Sequence, residues 1–85
     1  MRNIYNALTD ALEELGIYDR IDYSIVSTRP TLFMLNLVDK NVPNSILQLE
    51  VTDDGDEISV YVFDKNLFTH RVAGRICNAI LDALT

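Results

Sequence analysis

The stretch from Ile46 to Phe63, ILQLEVTDDGDEISVYVF, limits the possible folds more than any other part of the chain, because it reads as a β-hairpin that carries its own register. Asp-Gly between two alternating apolar runs is the usual composition of a two-residue type I′ turn. With Asp54-Gly55 as that turn, Val51 faces Ile58, Leu49 faces Val60 and Leu47 faces Val62 on one side of the ribbon. Thr52 then meets Glu57, Glu50 meets Ser59 and Gln48 meets Tyr61 on the other. A one-residue slip would mix the two sets, so alternation and turn chemistry favour this pairing over its neighbours.

Two more strands are expected upstream, at about 22–28 and 32–38, where β-branched and aromatic residues dominate on either side of Arg29-Pro30. A three-residue loop between them pairs Ile25 with Leu35 and Tyr23 with Leu37, which packs better than the two-residue alternative. The polar connection 39–45, DKNVPNS, then sets Leu37, Leu35 and Phe33 opposite Leu47, Leu49 and Val51. All four strands share one apolar face.

A helix at each end supplies the cover for that face. Asn3 is the expected N-cap of the first, which runs to about Leu15 with Ile4, Leu8, Ala11, Leu12 and Leu15 inward and Gly16 as the stop. Asp64 or Asn66 is expected to cap the second, which reaches Leu84 with Ala73, Ile76, Cys77, Ile80 and Leu84 inward and Leu67, Phe68 and Val72 widening that face. Arg71, Arg75, Asn78 and Asp82 follow its solvent side, and Gly74 is expected to permit a close approach of neighbouring elements. Four strands span about 19 Å and two adjacent helices about 20 Å, so both helices fit on one side of the sheet. The expected architecture is therefore α+β, ordered α-β-β-β-β-α, with a four-stranded antiparallel meander, both terminal helices on one face, and residues 1–85 as one domain.

Composition narrows the function classes. Thirteen acidic residues against seven basic ones give a net charge of −6, which argues against direct nucleic-acid binding through bulk electrostatics. Tyr61 and Phe63 could stack bases, but no Lys or Arg is interleaved with them as such a platform requires. No apolar run approaches the length of a membrane span, and a lone cysteine, Cys77, has no internal disulfide partner, so a cytoplasmic, non-membrane protein is expected.

No catalytic residue, cofactor or metal is expected. His70 and Cys77 lie seven residues apart, about 10 Å along a helix, too far for a nucleophile and its base to touch. The acidic run Asp53-Asp54-Gly55-Asp56-Glu57 lacks the alternate-ligand spacing of a calcium loop. The three glycines, Gly16, Gly55 and Gly74, form no phosphate-binding turn.

The remaining feature is the second face of the sheet. Val26, Leu32, Met34, Ile46, Tyr61 and Phe63, together with Gln48, make it too apolar for plain solvent, and they form the expected interface of a non-catalytic protein-protein interaction domain whose expected partner is a second copy in a homodimer. The alternative is a phage or mobile-element inhibitor that mimics nucleic acid and binds a host or defence enzyme through two acidic patches. Asp10, Glu13 and Glu14 would form one patch, and Asp53, Asp54, Asp56 and Glu57 the other.

Overall fold

Asn3 starts the first helix, its side-chain oxygen accepting from the backbone N–H groups of Tyr5 at 2.7 Å and Asn6 at 3.4 Å. Those donors would otherwise have no partner in the first turn. The computed structural model describes residues 3–85 and places helix α1 at Ile4–Glu14. Its end is a Schellman turn, with Gly16 N–H donating to the Glu13 carbonyl and Ile17 N–H to the Leu12 carbonyl, both at 3.0 Å. Gly16 takes φ +74°, a conformation that costs glycine little.

After a short 3-10 turn (Tyr18–Arg20) come β1 (Ile21–Arg29), β2 (Leu32–Asp39), β3 (Ile46–Asp53) and β4 (Ile58–Asn66), then helix α2 (His70–Leu84). The sheet order is β1-β2-β3-β4, an antiparallel meander, as the alternation of residue types predicts. Both helices contribute to one buried cluster with the inner face of the sheet. Leu35, Leu37, Leu47 and Leu49 from the two central strands are fully buried there, under Ala7, Leu8, Ala11 and Leu12 of α1 and Ile76 and Ile80 of α2.

Two of the three strand pairings match expectation. Ile25 faces Leu35 and Tyr23 faces Leu37, while Leu35 faces Leu49 and Leu37 faces Leu47. The β1–β2 turn differs in detail: Arg29 opposes Leu32, so Pro30-Thr31 makes the turn and the register shift between Ser27 and Arg29 takes up the extra residue as a bulge at Thr28.

The third pairing corrects the expected register. Val51 faces Val60, Glu50 faces Tyr61 and Leu49 faces Val62, a shift of two residues that preserves the faces but replaces the two-residue turn with a loop over 54–57. Side-chain chemistry explains the longer loop. Asp53 Oδ1 accepts from Gly55 N–H at 3.0 Å, and Asp54 Oδ1 accepts from Asp56 and Glu57 N–H at 3.0 and 2.8 Å. The shorter turn would also have set the Asp53 and Asp56 carboxylates directly opposite each other, an unfavourable like-charge pair.

A bulge then follows on β4, where Leu49 faces Val62 but Gln48 faces Asp64, leaving Phe63 as the additional residue. Leu47 consequently faces Lys65, not Val62, and Val62 is exposed instead of buried. Because β4 continues to Asn66, neither Asp64 nor Asn66 caps the second helix. Asn66 pairs with Ile46 and its amide donates to the Asn44 carbonyl at 2.9 Å, while Thr69 Oγ1 takes the capping role by accepting from Val72 N–H at 3.1 Å. Of the three residues expected to widen the inner face, Phe68 does so, whereas Leu67 and Val72 are exposed.

Gly74 does not mark a close approach. A methyl group built on it meets nothing within 4 Å, and its φ is not positive. Glycine inside a helix costs about 0.5–1 kcal/mol relative to alanine. Gly74→Ala is therefore expected to stabilise the protein by about that amount, read as an increase of a few degrees in melting temperature; a lower melting temperature would show that the site is tighter than its geometry indicates.

Candidate interaction surface

The outer face of the sheet is ordered in rungs set by strand pairing. One rung is polar throughout: Ser24 faces Asn36, Asn36 faces Gln48, and Gln48 faces Asp64. Gln48 Nε2 donates to Asn36 Oδ1 at 2.8 Å, and Asn36 Nδ2 donates to Ser24 Oγ at 3.5 Å. The next rung is mixed, running Val26, Met34, Glu50 and Tyr61. Tyr61 donates its hydroxyl to Glu50 Oε1 at 2.5 Å, and that bond raises the phenol's pKa by favouring its protonated form.

Leu32 lies one rung further toward the β1–β2 turn, facing Thr52. Ile46 lies on the other side of the polar rung, opposite Asn66. Val26, Leu32, Met34, Ile46, Gln48 and Tyr61 are thus on one face, the bulge takes Phe63 out of the alternation that assigns faces, and the polar rung divides the apolar surface. Val26 is 48% exposed, Tyr61 49% and Phe63 62%, whereas Leu32, Met34, Ile46 and Gln48 are half-buried among their neighbours. Phe63 owes its exposure to the bulge, which separates it from the regular pairing.

The alternative acidic residues occupy two different elements. Asp10, Glu13 and Glu14 are exposed along α1, and Asp54, Asp56 and Glu57 are exposed at the β3–β4 loop, with Asp53 half-buried beside them. Asp53 and Asp54 spend side-chain oxygens on the amides of their own loop. The amide bonds from Glu57 and Asp56 hold the Asp54 carboxyl below its ordinary pKa.

His70 is exposed at the start of α2, and Cys77 is half-buried, its thiol pKa pushed up by burial. Among the described residues no group of three or more His, Cys, Asp or Glu is placed to hold a metal ion. Among them, too, no helix is long and apolar enough to cross a membrane.

Sequence reasoning missed a cleft of about 490 Å³ at the end of the helix layer where α1 stops, β2 ends and α2 begins. Arg20, Asp39 and Arg75 reach it, over a floor that includes the buried Ile21 and Phe68. Arg20 Nη2 lies 2.8 Å from Asp39 Oδ2. Asp39 also accepts from Asn41 N–H at 2.9 Å, and the bonds from Asn41 and then Arg20 hold its carboxyl below the usual range. Arg75 reads from the sequence only as part of a solvent-facing stripe. The one available cue was Val72, three residues earlier and on the same side of the helix.

Comparison of the chain with protein-family models, curated proteins and solved structures finds no significant match.

Proposed function

We propose that the protein is a non-catalytic protein-protein interaction domain that self-associates through the open face of its sheet, two copies meeting face to face. The observation that carries this reading is the exposure of Val26 and Tyr61 on the side of the sheet that neither helix covers, with the exposed Phe63 next to them on the β4 bulge. The polar rung suits a twofold contact. Asn36 and Gln48 carry amides that both donate and accept, so they can meet their symmetry mates without leaving an unpaired group.

Four strands of about eight residues give a footprint of roughly 19 by 26 Å, on the order of 500 Å² per copy. A pair buries roughly 1,000 Å², at the lower end of specific interfaces, so micromolar affinity is expected. Light scattering during size exclusion at two protein and two salt concentrations tests this. The expected result is a mass that rises toward the dimer with concentration and is insensitive to salt, and that remains monomeric in Met34→Glu and Tyr61→Asp. A monomer at every condition would overturn self-association. Salt-sensitive binding to a different enzyme, lost on neutralising Asp10, Glu13 and Glu14 or the loop acids, would favour the inhibitor reading instead.

A further inference from the structure

We infer that the cleft between the end of α1 and the start of α2 binds a small monocarboxylate with an apolar body, independently of the sheet face. The cleft holds two guanidinium groups and one carboxylate, from Arg20, Arg75 and Asp39. Asp39 neutralises Arg20 through their 2.8 Å contact, while the Arg75 guanidinium has no hydrogen-bonding or ionic partner among the described residues. One positive charge is left over, in a chain whose net charge is −6. A ligand with a single negative charge balances it, and a doubly charged phosphate exceeds it. The planar fork of an arginine matches the two oxygens of a carboxylate.

The walls specify the rest of the ligand. Ile21 and Phe68 form a buried apolar floor, and Leu15 and Ile17 line the side contributed by the end of α1. Leu67 stands at the margin, 60% exposed and at φ +62°, a left-handed conformation that a branched side chain seldom adopts. Packing within the chain does not account for a large apolar residue that is both exposed and strained. An apolar ligand body lying against it would bury it. The volume of about 490 Å³ falls within the range of small-ligand sites, roughly 300–1,000 Å³.

Decanoate is a suitable probe, with decanol and acetate as controls, followed by amide chemical shifts of the isotopically labelled full chain. Decanoate is expected to shift amides in 15–21 and 67–75 and to saturate below its micellar range. Decanol should bind at least tenfold more weakly, and acetate should leave the spectrum unchanged. Arg75→Gln, an exposed substitution whose folding is checked by an unchanged melting temperature, is expected to weaken decanoate about tenfold and to leave decanol alone. Leu67→Gly relieves the left-handed strain, so a higher melting temperature combined with weaker decanoate binding is expected. Equal affinity for decanoate and decanol, no effect of Arg75→Gln, shifts centred on Val26, Met34 and Tyr61, or no saturation would each overturn the inference. Because the cleft and the sheet face lie on opposite sides of the sheet, either site can fail while the other stands.

Discussion

Leu35→Ala is expected to lower the free energy of unfolding by about 3–4 kcal/mol, measured by urea denaturation. Leu35 is fully buried at the centre of the sheet, between Ile25 on β1 and Leu49 on β3, beneath the helix layer. Truncating a leucine in such a place removes its transfer free energy and leaves a cavity that the surrounding strands cannot close, which typically costs about 2–5 kcal/mol. A chain of this length has a total stability of only about 4–13 kcal/mol, so a large part of it disappears. Val26→Ala, which truncates a half-exposed side chain on the outer face, is expected to cost less than about 1 kcal/mol. The contrast tests the placement of both helices: equal losses at the two positions would mean that the outer face is covered as well.

The β1–β2 pairing was legible from the faces, since a two-residue loop would set Ser24 and Asp22 against Leu35 and Leu37, and the β2–β3 pairing from the polar connection 39–45 that joins those strands. The β3–β4 pairing was not, for a reason inherent to strands. A shift of two residues returns every side chain to its own face, so alternation cannot detect it, and only the turn distinguishes the two answers. The cue was present in the opposed Asp53 and Asp56 that the tighter turn creates. The bulge at Phe63 left no cue, since Val60-Tyr61-Val62-Phe63 is apolar at every position.

That one error propagated. A strand assumed to end near Phe63 frees Asp64 and Asn66 for capping, whereas the longer strand commits both and transfers the cap to Thr69. On the candidate surface, Val26, Met34 and Tyr61 share the face that alternation predicts, whereas the bulge takes Phe63 out of that alternation, and the polar rung is completed by Asp64 only in the shifted register. The cleft was illegible for a different reason. Its charged groups come from the 3-10 turn, the end of β2 and the second turn of α2, and no spacing in the sequence brings those three together.

Asp39 stands where these elements meet, and replacing it with alanine is expected to cost about 2 kcal/mol. The carboxylate accepts the Asn41 amide and the Arg20 guanidinium, and charge-assisted bonds of this kind contribute roughly 1.5–3 kcal/mol. Arg20 is about half exposed, so most of the loss comes from the amide side and little from the ion pair. The backbone of Asp39 is fastened separately, its N–H donating to Ser45 Oγ at 2.9 Å, so the strand end remains in place without the side chain.

The pH dependence follows from the lowered pKa of Asp39 in the folded state. Its stabilisation is complete above the unfolded carboxylate value near 4 and is lost as the pH falls through the lower folded value. Asp39→Asn removes this titration, so its unfolding free energy is expected to lie below that of the native protein at pH 7 and to converge with it toward pH 2. Asp54 titrates in both proteins and cancels in the difference. Parallel curves would show that the carboxylate contributes nothing through its charge. The same substitution leaves Arg20 without its counter-charge and gives the cleft a second free guanidinium. Asp39→Asn is therefore expected to weaken the fold while tightening decanoate binding, two opposite changes that a purely structural role for Asp39 would not produce.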